Sequence, residues 1–353
     1  MSQLALFEDI ATATKFPTTR YQGSKAKFVD WIWYCIKDIE FNTALDAFGG
    51  TGCVGYKLKQ EGKQVHYNDI LKFNHIIGKA LIENSTEQLY DNEVHDLLKV
   101  NPQISYPHFI EDNFQDIYFT DEENRWLDIV STNIRSIKNE YKRAIAYFAL
   151  FQSCIIKRPY NLFHRKNLYV RLQDVKRSFG NKVTWDTPFE IHFQKFIQEA
   201  NNAVFDNSME NKSLNCNVFD INNHYDLVYF DPPYISEKGI GIDYADFYHF
   251  LEGICDYEHW FDRLDLKSKH KRMIRTDSVW CQPEKILSAF HNLICRFSES
   301  VIIISYRSDG IPSIQELVDL LHSVGKKVRI FQSNNFRYVL SNKTSNEVLI
   351  VAQ

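Results

Sequence analysis

The sequence predicts an α/β fold, a sheet domain split by an insertion. Three observations carry this. Short apolar runs alternate with helical segments over the first hundred residues, the rhythm lapses over the next hundred or so, and it then resumes. Alternating strands and helices build a parallel sheet with helices on its faces. At about 150 residues per domain, 353 residues make two domains, here nested as 1–100 and 213–353 around 101–212.

The elements follow in order. Thr43 to Phe48 is a buried strand stopped by Gly49 and Gly50. Val54 to Gln60 reads as a helix ending near Gly62, Gln64 to Asn68 as a second strand, and Ile70 to Ile82 as another helix. The middle block opens on Pro102 and Pro107 and holds one long helix from Glu122 to about Ile156. Beyond Pro159, the stretch Asn161 to Asp186 is aromatic, basic and poorly periodic. Tyr225 to Phe230 is the strand that resumes the pattern, with Val218-Phe219-Asp220 ending another just before it. Ser300 to Ser305 is a strand, Ser313 to Ser323 a helix, and Lys327 to Phe331 and Glu347 to Ala352 are closing strands around a polar segment with Asn334 and Asn335.

Composition narrows the class. Apolar residues are 44% and charged residues 24%, which excludes wholesale disorder. The start of the chain lacks the basic and apolar regions of a signal peptide, and no apolar run approaches the ~20 residues of a membrane span. The seven cysteines form no Cys-x-x-Cys pair, so reduced, mostly buried thiols in a cytoplasmic protein are expected, and no metal site.

The net charge of −4 hides a segment of opposite sign. From Lys157 to Lys182 eight basic residues face the single Asp174, a net +7, leaving −11 on the rest. Lys157, Arg158, Arg165, Lys166, Arg171, Lys176 and Arg177 are interleaved with Tyr160, Phe163, His164, Tyr169 and Phe179. Basic groups neutralise phosphates and aromatic groups support an extruded base. Asn161 and His164 join the basic residues as candidates for DNA contact, although a solvated basic face explains many such runs.

Two loops carry candidate chemistry. Gly50, Gly52 and Gly55 fit G-x-G-x-x-G after the first strand, and Asp69 follows the second. Glycines let a backbone approach a nucleoside, and an acidic group after the next strand can accept from ribose hydroxyls. Asp46, just before the glycines, would repel a pyrophosphate but pair with an ammonium, favouring S-adenosylmethionine over a nicotinamide dinucleotide. Asp231-Pro232-Pro233-Tyr234 follows a buried strand. Its prolines fix a rigid loop offering a carboxylate, the Pro232 carbonyl and a flat aromatic ring. Two acceptors beside an aromatic plate suit an exocyclic amine on a stacked base. Gly239 and Gly241 beyond it read as a mobile loop, and Tyr244 to Phe250 as core.

These motifs, with Tyr21-Gln22-Gly23-Ser24-Lys25 near the start and Asn68-Asp69, resemble the Dam-like (alpha) class of N6-adenine-specific DNA methyltransferases. The resemblance implies a Rossmann-like methyltransferase mixed sheet of seven strands, the last antiparallel, with an inserted, mostly helical target-recognition domain. It implies S-adenosylmethionine as cofactor, contacted by Tyr21, Lys25, Asp46, Phe48, Gly50, Gly52, Asp69, Asp220 and Asp231. It implies a flipped adenine held by Asp231, Pro232 and Tyr234, and double-stranded DNA, read at a specific short sequence, as partner. A separate cognate restriction endonuclease is a possible second partner, and no membrane is involved. Tyr21 stands where a tryptophan is common in this class, and Ser24 where a glycine is. RNA adenine methylation, N4-cytosine methylation, a nicotinamide-dependent oxidoreductase and a non-catalytic DNA-binding module are the alternatives.

Overall fold

A computed structural model describes residues 14–174, 182–333 and 346–353. The chain forms two compact units. One gathers 1–24, 71–206 and 245–275, the other 25–70, 207–244 and 276–353. The helical unit thus takes in 71–100 and 245–275 besides most of the expected insertion. Helical periodicity does not say whether the apolar face meets a sheet or other helices.

The second unit is built on a seven-stranded sheet. Its strands are β1 (Thr43–Asp46), β2 (Gln64–Asn68), β3 (Lys212–Leu214), β4 (Leu227–Phe230), β6 (Val301–Arg307), β8 (Val328–Gln332) and β9 (Glu347–Ala352). Ile235–Ser236 (β5) and Gly310–Ile311 (β7) pair separately as a short ribbon. The sheet order is β3-β2-β1-β4-β6-β9-β8. β1 to β4 and β6 are mutually parallel, and β9 runs antiparallel between β6 and β8. β4, β6 and β9 read Leu-Val-Tyr-Phe, Val-Ile-Ile-Ile and Val-Leu-Ile-Val, as strands buried on both faces must. One face packs Val228, Ile302, Ile304 and Ile350 against Phe290 and Leu293 of the helix Pro283–Arg296 and Leu317 and Leu321 of the helix Ile314–Ser323. From β1 the chain winds outward through β2 and β3, then returns to β4 and winds the other way. That reversal puts the ligand-binding crevice at the C-terminal ends of β1 and β4.

The first unit is helical, its core a set of rings. Phe163 and Phe250 stack at 5.2 Å and 7°, with Phe114, Tyr118 and Trp260 packed about them. The single helix expected over 122–156 is two, Asp121–Ser136 and Glu140–Ile156. Asn139 makes the break: its carboxamide oxygen accepts from the Tyr141 and Lys142 amides, an N-cap in the polar stretch ahead of the apolar run that begins at Ala144. The helix expected over 70–82 is α-helical from Lys72 to Gly78 and continues as a π turn over Lys79–Glu83. Val218–Asp220, expected as a strand end, is a 3₁₀ turn; the strand is Lys212–Leu214, too short to show a period. Gly241 lies against Cys281, where a Cβ would meet the Cys281 Cα at 2.9 Å, so close packing calls for the glycine the sequence reads as a mobile loop. The cysteines are all free thiols; Cys53 and Cys154 are buried, Cys295 exposed, and the other four half-buried rather than core. Among the described residues no helix is long and apolar enough to cross a membrane.

Candidate active site

β1 ends on Asp46, and residues 47–52 turn into the helix Cys53–Gln60. Gly50 (φ 52°) and Gly52 (φ 78°) occupy the left-handed region, where a Cβ is strained. Gly49 makes room for Tyr67: a Cβ would lie 1.9 Å from that ring, whose hydroxyl donates to the Gly50 carbonyl at 2.7 Å. The Gly50 amide donates to Asp69 Oδ2 at 3.0 Å, tying the glycine turn to the end of β2.

Asp46 is buried and accepts from the Gly55 amide at 3.0 Å. Burial pushes its carboxyl up to about 7; the Gly55 bond opposes the rise, and the Asp231 and Asp69 carboxylates add to it. Three carboxylates therefore gather at one sheet edge. Such a site attracts a cation and repels a pyrophosphate. Aromatic faces stand in the same unit: Phe219 stacks on Trp280 (5.9 Å, 8°), and Phe48 meets Trp280 edge-on at 4.9 Å.

β4 delivers Asp231. Its Oδ1 accepts from Lys25 Nζ at 2.8 Å and from the Tyr234 hydroxyl at 2.6 Å. Lys25 Nζ also contacts the Tyr234 hydroxyl and lies 3.5 Å from Glu347 Oε1. Among the described residues no hydrogen bond reaches Asp231 Oδ2. Burial raises the Asp231 carboxyl; Lys25 pulls it back and Glu347 pushes it further up. One oxygen is anchored while the other keeps its acceptor capacity, which can orient an amine without a covalent intermediate.

The family model for D12 class N6 adenine-specific DNA methyltransferases matches residues 21–290. The chain belongs to this family. Type II methyltransferase M2.HphI of Haemophilus parahaemolyticus is 30% identical over 329 residues, covering 90% of this chain and 91% of the relative. Type II methyltransferase M.NlaIII of Neisseria lactamica is 24% identical, with 92% and 94% covered. Type II methyltransferase M.FokI of Planomicrobium okeanokoites is 27% identical; the match takes 92% of this chain but 50% of that longer relative. The chain is thus a DNA adenine methyltransferase.

The methyltransferase gathers Lys25, Asp46, Phe48, Gly50, Gly52, Asp69, Asp231, Pro232 and Tyr234 in the sheet unit. Asp220 lies exposed at the end of its 3₁₀ turn. Tyr21 belongs to the helical unit, stacked on Tyr248 at 4.6 Å and 7° with its hydroxyl accepting from Asn74. Tyr234 departs from the expected open plate. It is 4% exposed, edge-on to Tyr306 at 5.3 Å, with Lys25 Nζ 4.7 Å from its ring centre. Its hydroxyl turns toward Asp231, so in this conformation the ring anchors the carboxylate.

The basic segment needs the larger correction. Arg158 is 1% exposed and donates to the carbonyls of Tyr118, Leu162 and Arg165 and to the Asn167 side chain. Arg171 pairs with both Glu123 oxygens, at 2.9 and 2.7 Å. Lys157 binds Glu123 at 2.9 Å and the carbonyls of Trp185 and Thr187. These three of the expected DNA contacts are internal struts, because an arginine or lysine beside apolar rings spends its donors on backbone carbonyls. Arg165 and Lys166 are exposed, and Asn161 and His164 half-buried. Lys176 and Arg177 lie outside the described residues.

Glu347 is the site residue the sequence reading missed. It is fully buried at the head of β9 and accepts from Ser305 at 2.6 Å. The available signal was one carboxylate opening an otherwise apolar strand.

Proposed function

We propose that this DNA adenine methyltransferase uses S-adenosylmethionine and modifies one short sequence in double-stranded DNA. It serves as the modification enzyme of a restriction–modification system, in the cytoplasm, with the cognate endonuclease a separate protein. The observation that carries the reading is Asp231: one oxygen held by Lys25 and Tyr234, the other still an acceptor, at an edge lined by two further carboxylates. Bound S-adenosylmethionine supplies the methyl group on a cationic sulfonium.

The acidic edge favours that cation and its ammonium, with Asp46 facing the positive charge and Asp69 the ribose hydroxyls. Gly50 and Gly52 keep the turn low beside the ligand, and Phe48 offers an apolar wall. Asp231 Oδ2 and the Pro232 carbonyl accept the two protons of the adenine amine, favouring a tetrahedral nitrogen with its lone pair free. Residues 101–212 act as the target-recognition insertion, and the exposed Arg165 and Lys166 meet phosphates. Relatives named type II methyltransferases support the restriction–modification role.

The test is methyl transfer from labelled S-adenosylmethionine to plasmid DNA, with mapping of the modified bases. The expected label is N6-methyladenine at one recurring short sequence. Label on cytosine, on RNA alone, or on adenines without a common sequence overturns the reading.

A further inference from the structure

One ammonium, Lys25, lies between two carboxylates belonging to different strands. Asp231 follows β4, and Glu347 opens β9. Glu347 Oε1 takes three approaches at once: Ser305 Oγ at 2.6 Å, the Tyr234 hydroxyl at 3.4 Å and Lys25 Nζ at 3.5 Å. Lys25 and Tyr234 are the two donors that reach Asp231 through Oδ1. The phenol's one proton goes to Asp231, so it is the Lys25 ammonium that the two carboxylates share. A fully buried carboxylate has a high cost of desolvation and persists only where partners repay it.

We propose that Glu347 is a positioning residue for methyl transfer: by holding the Lys25 ammonium from the far side it confines it to Oδ1 of Asp231 and keeps Oδ2 for the adenine amine. The proposal rests on Asp231 being the amine's acceptor. Without the Glu347 charge, Lys25 is free to bridge both Asp231 oxygens and compete with the substrate.

The other groups around the pair leave this logic intact. Tyr229 and Tyr244 face Asp231 and Glu347, and burial raises both phenols, so they stay neutral. Asp46 and Asp69 add negative charge beside Tyr229 and Tyr244 respectively. Arg307, opposite Glu347 in the β6–β9 register, is engaged by Asp309 at 2.6 and 2.8 Å.

The experiment compares Glu347→Gln with the wild-type enzyme in steady-state methyl transfer across pH. Glutamine keeps the shape and can still accept from Ser305. We expect kcat to fall tenfold or more, with KM for the cofactor changed less than about threefold. The acid limb of the pH profile should move to lower pH, because a like charge that raises the Asp231 carboxyl is gone. A folded Glu347→Gln enzyme with wild-type kcat and an unmoved acid limb overturns the proposal. Should that variant not fold, Glu347→Asp keeps the charge but withdraws it by one methylene: reduced kcat supports the proposal and wild-type kcat overturns it. Asp231→Asn separates the two levels. If it stays active, the amine-acceptor reading falls; if it is dead while Glu347→Gln is normal, only the role of Glu347 falls.

Discussion

Two regions bury charge in this enzyme, and they do it to opposite ends. Around Lys157, Arg158 and Arg171, cations sit among rings and spend their donors on carbonyls and on Glu123. Around Asp231, two carboxylates share one ammonium and an acceptor oxygen is left over. The first arrangement is closed and holds a fold. The second is open by one hydrogen bond and can hold a substrate. Burial of charge alone does not separate structure from function; the remaining valence does.

The sharpest way to break this contrast is to remove the open acceptor. Asp231→Asn should cut kcat by roughly a thousandfold, about 4 kcal/mol, while leaving thermal stability within a few degrees. Labelled-methyl incorporation beside a melting curve reads both, and an active variant would end the distinction. Arg158→Ala attacks the closed region. It removes one donor from each of four acceptors, of which the Tyr118 carbonyl keeps Arg171, and should cost roughly 3 kcal/mol of stability. The pH profile of surviving folded enzyme should not move.

Asp46 tests the electrostatics of the open region by its pH dependence. Its carboxyl is raised from 3.8 to about 7 in the folded chain, so the unfolded chain binds fewer protons between those values. Its contribution is therefore full below the lower value and is lost as pH rises toward the upper one. Asp46→Asn, which still accepts from Gly55, should flatten the fall in melting temperature between pH 4 and 7, and an unchanged slope refutes the assignment. The smallest effect belongs to the exposed pair. Arg165→Ala and Lys166→Ala should each lower the salt dependence of DNA binding by about one phosphate contact, measured as the slope of log affinity against log salt. Arg158→Lys should leave that slope alone.

The same contrast explains what the sequence made legible. Asp46, the glycine turn, Asp69 and Asp231-Pro232-Pro233-Tyr234 each sit within a few residues of a strand end, so a local pattern exposes them. β9 was readable too, as an unbroken apolar run. Glu347 was not, because its partners Lys25, Tyr234 and Ser305 come from distant parts of the chain. Arg158 misled for a related reason: its charge is visible in the sequence, but the carbonyls that absorb it are not. The break at Asn139 was missed since no glycine or proline marks it, and a capping asparagine between Lys138 and Glu140 reads equally as part of an exposed helix face.

β9 enters the sheet between β6 and β8, and so brings Glu347 to Lys25, more than three hundred residues earlier in the chain. Closing so long a loop is entropically late in folding. The ammonium gains its second carboxylate only when that final strand has slotted home. A partly folded molecule that carries the glycine turn and Asp231 but not β9 lacks the completed charge set, so the Lys25–Glu347 pair reports that the whole sheet is assembled.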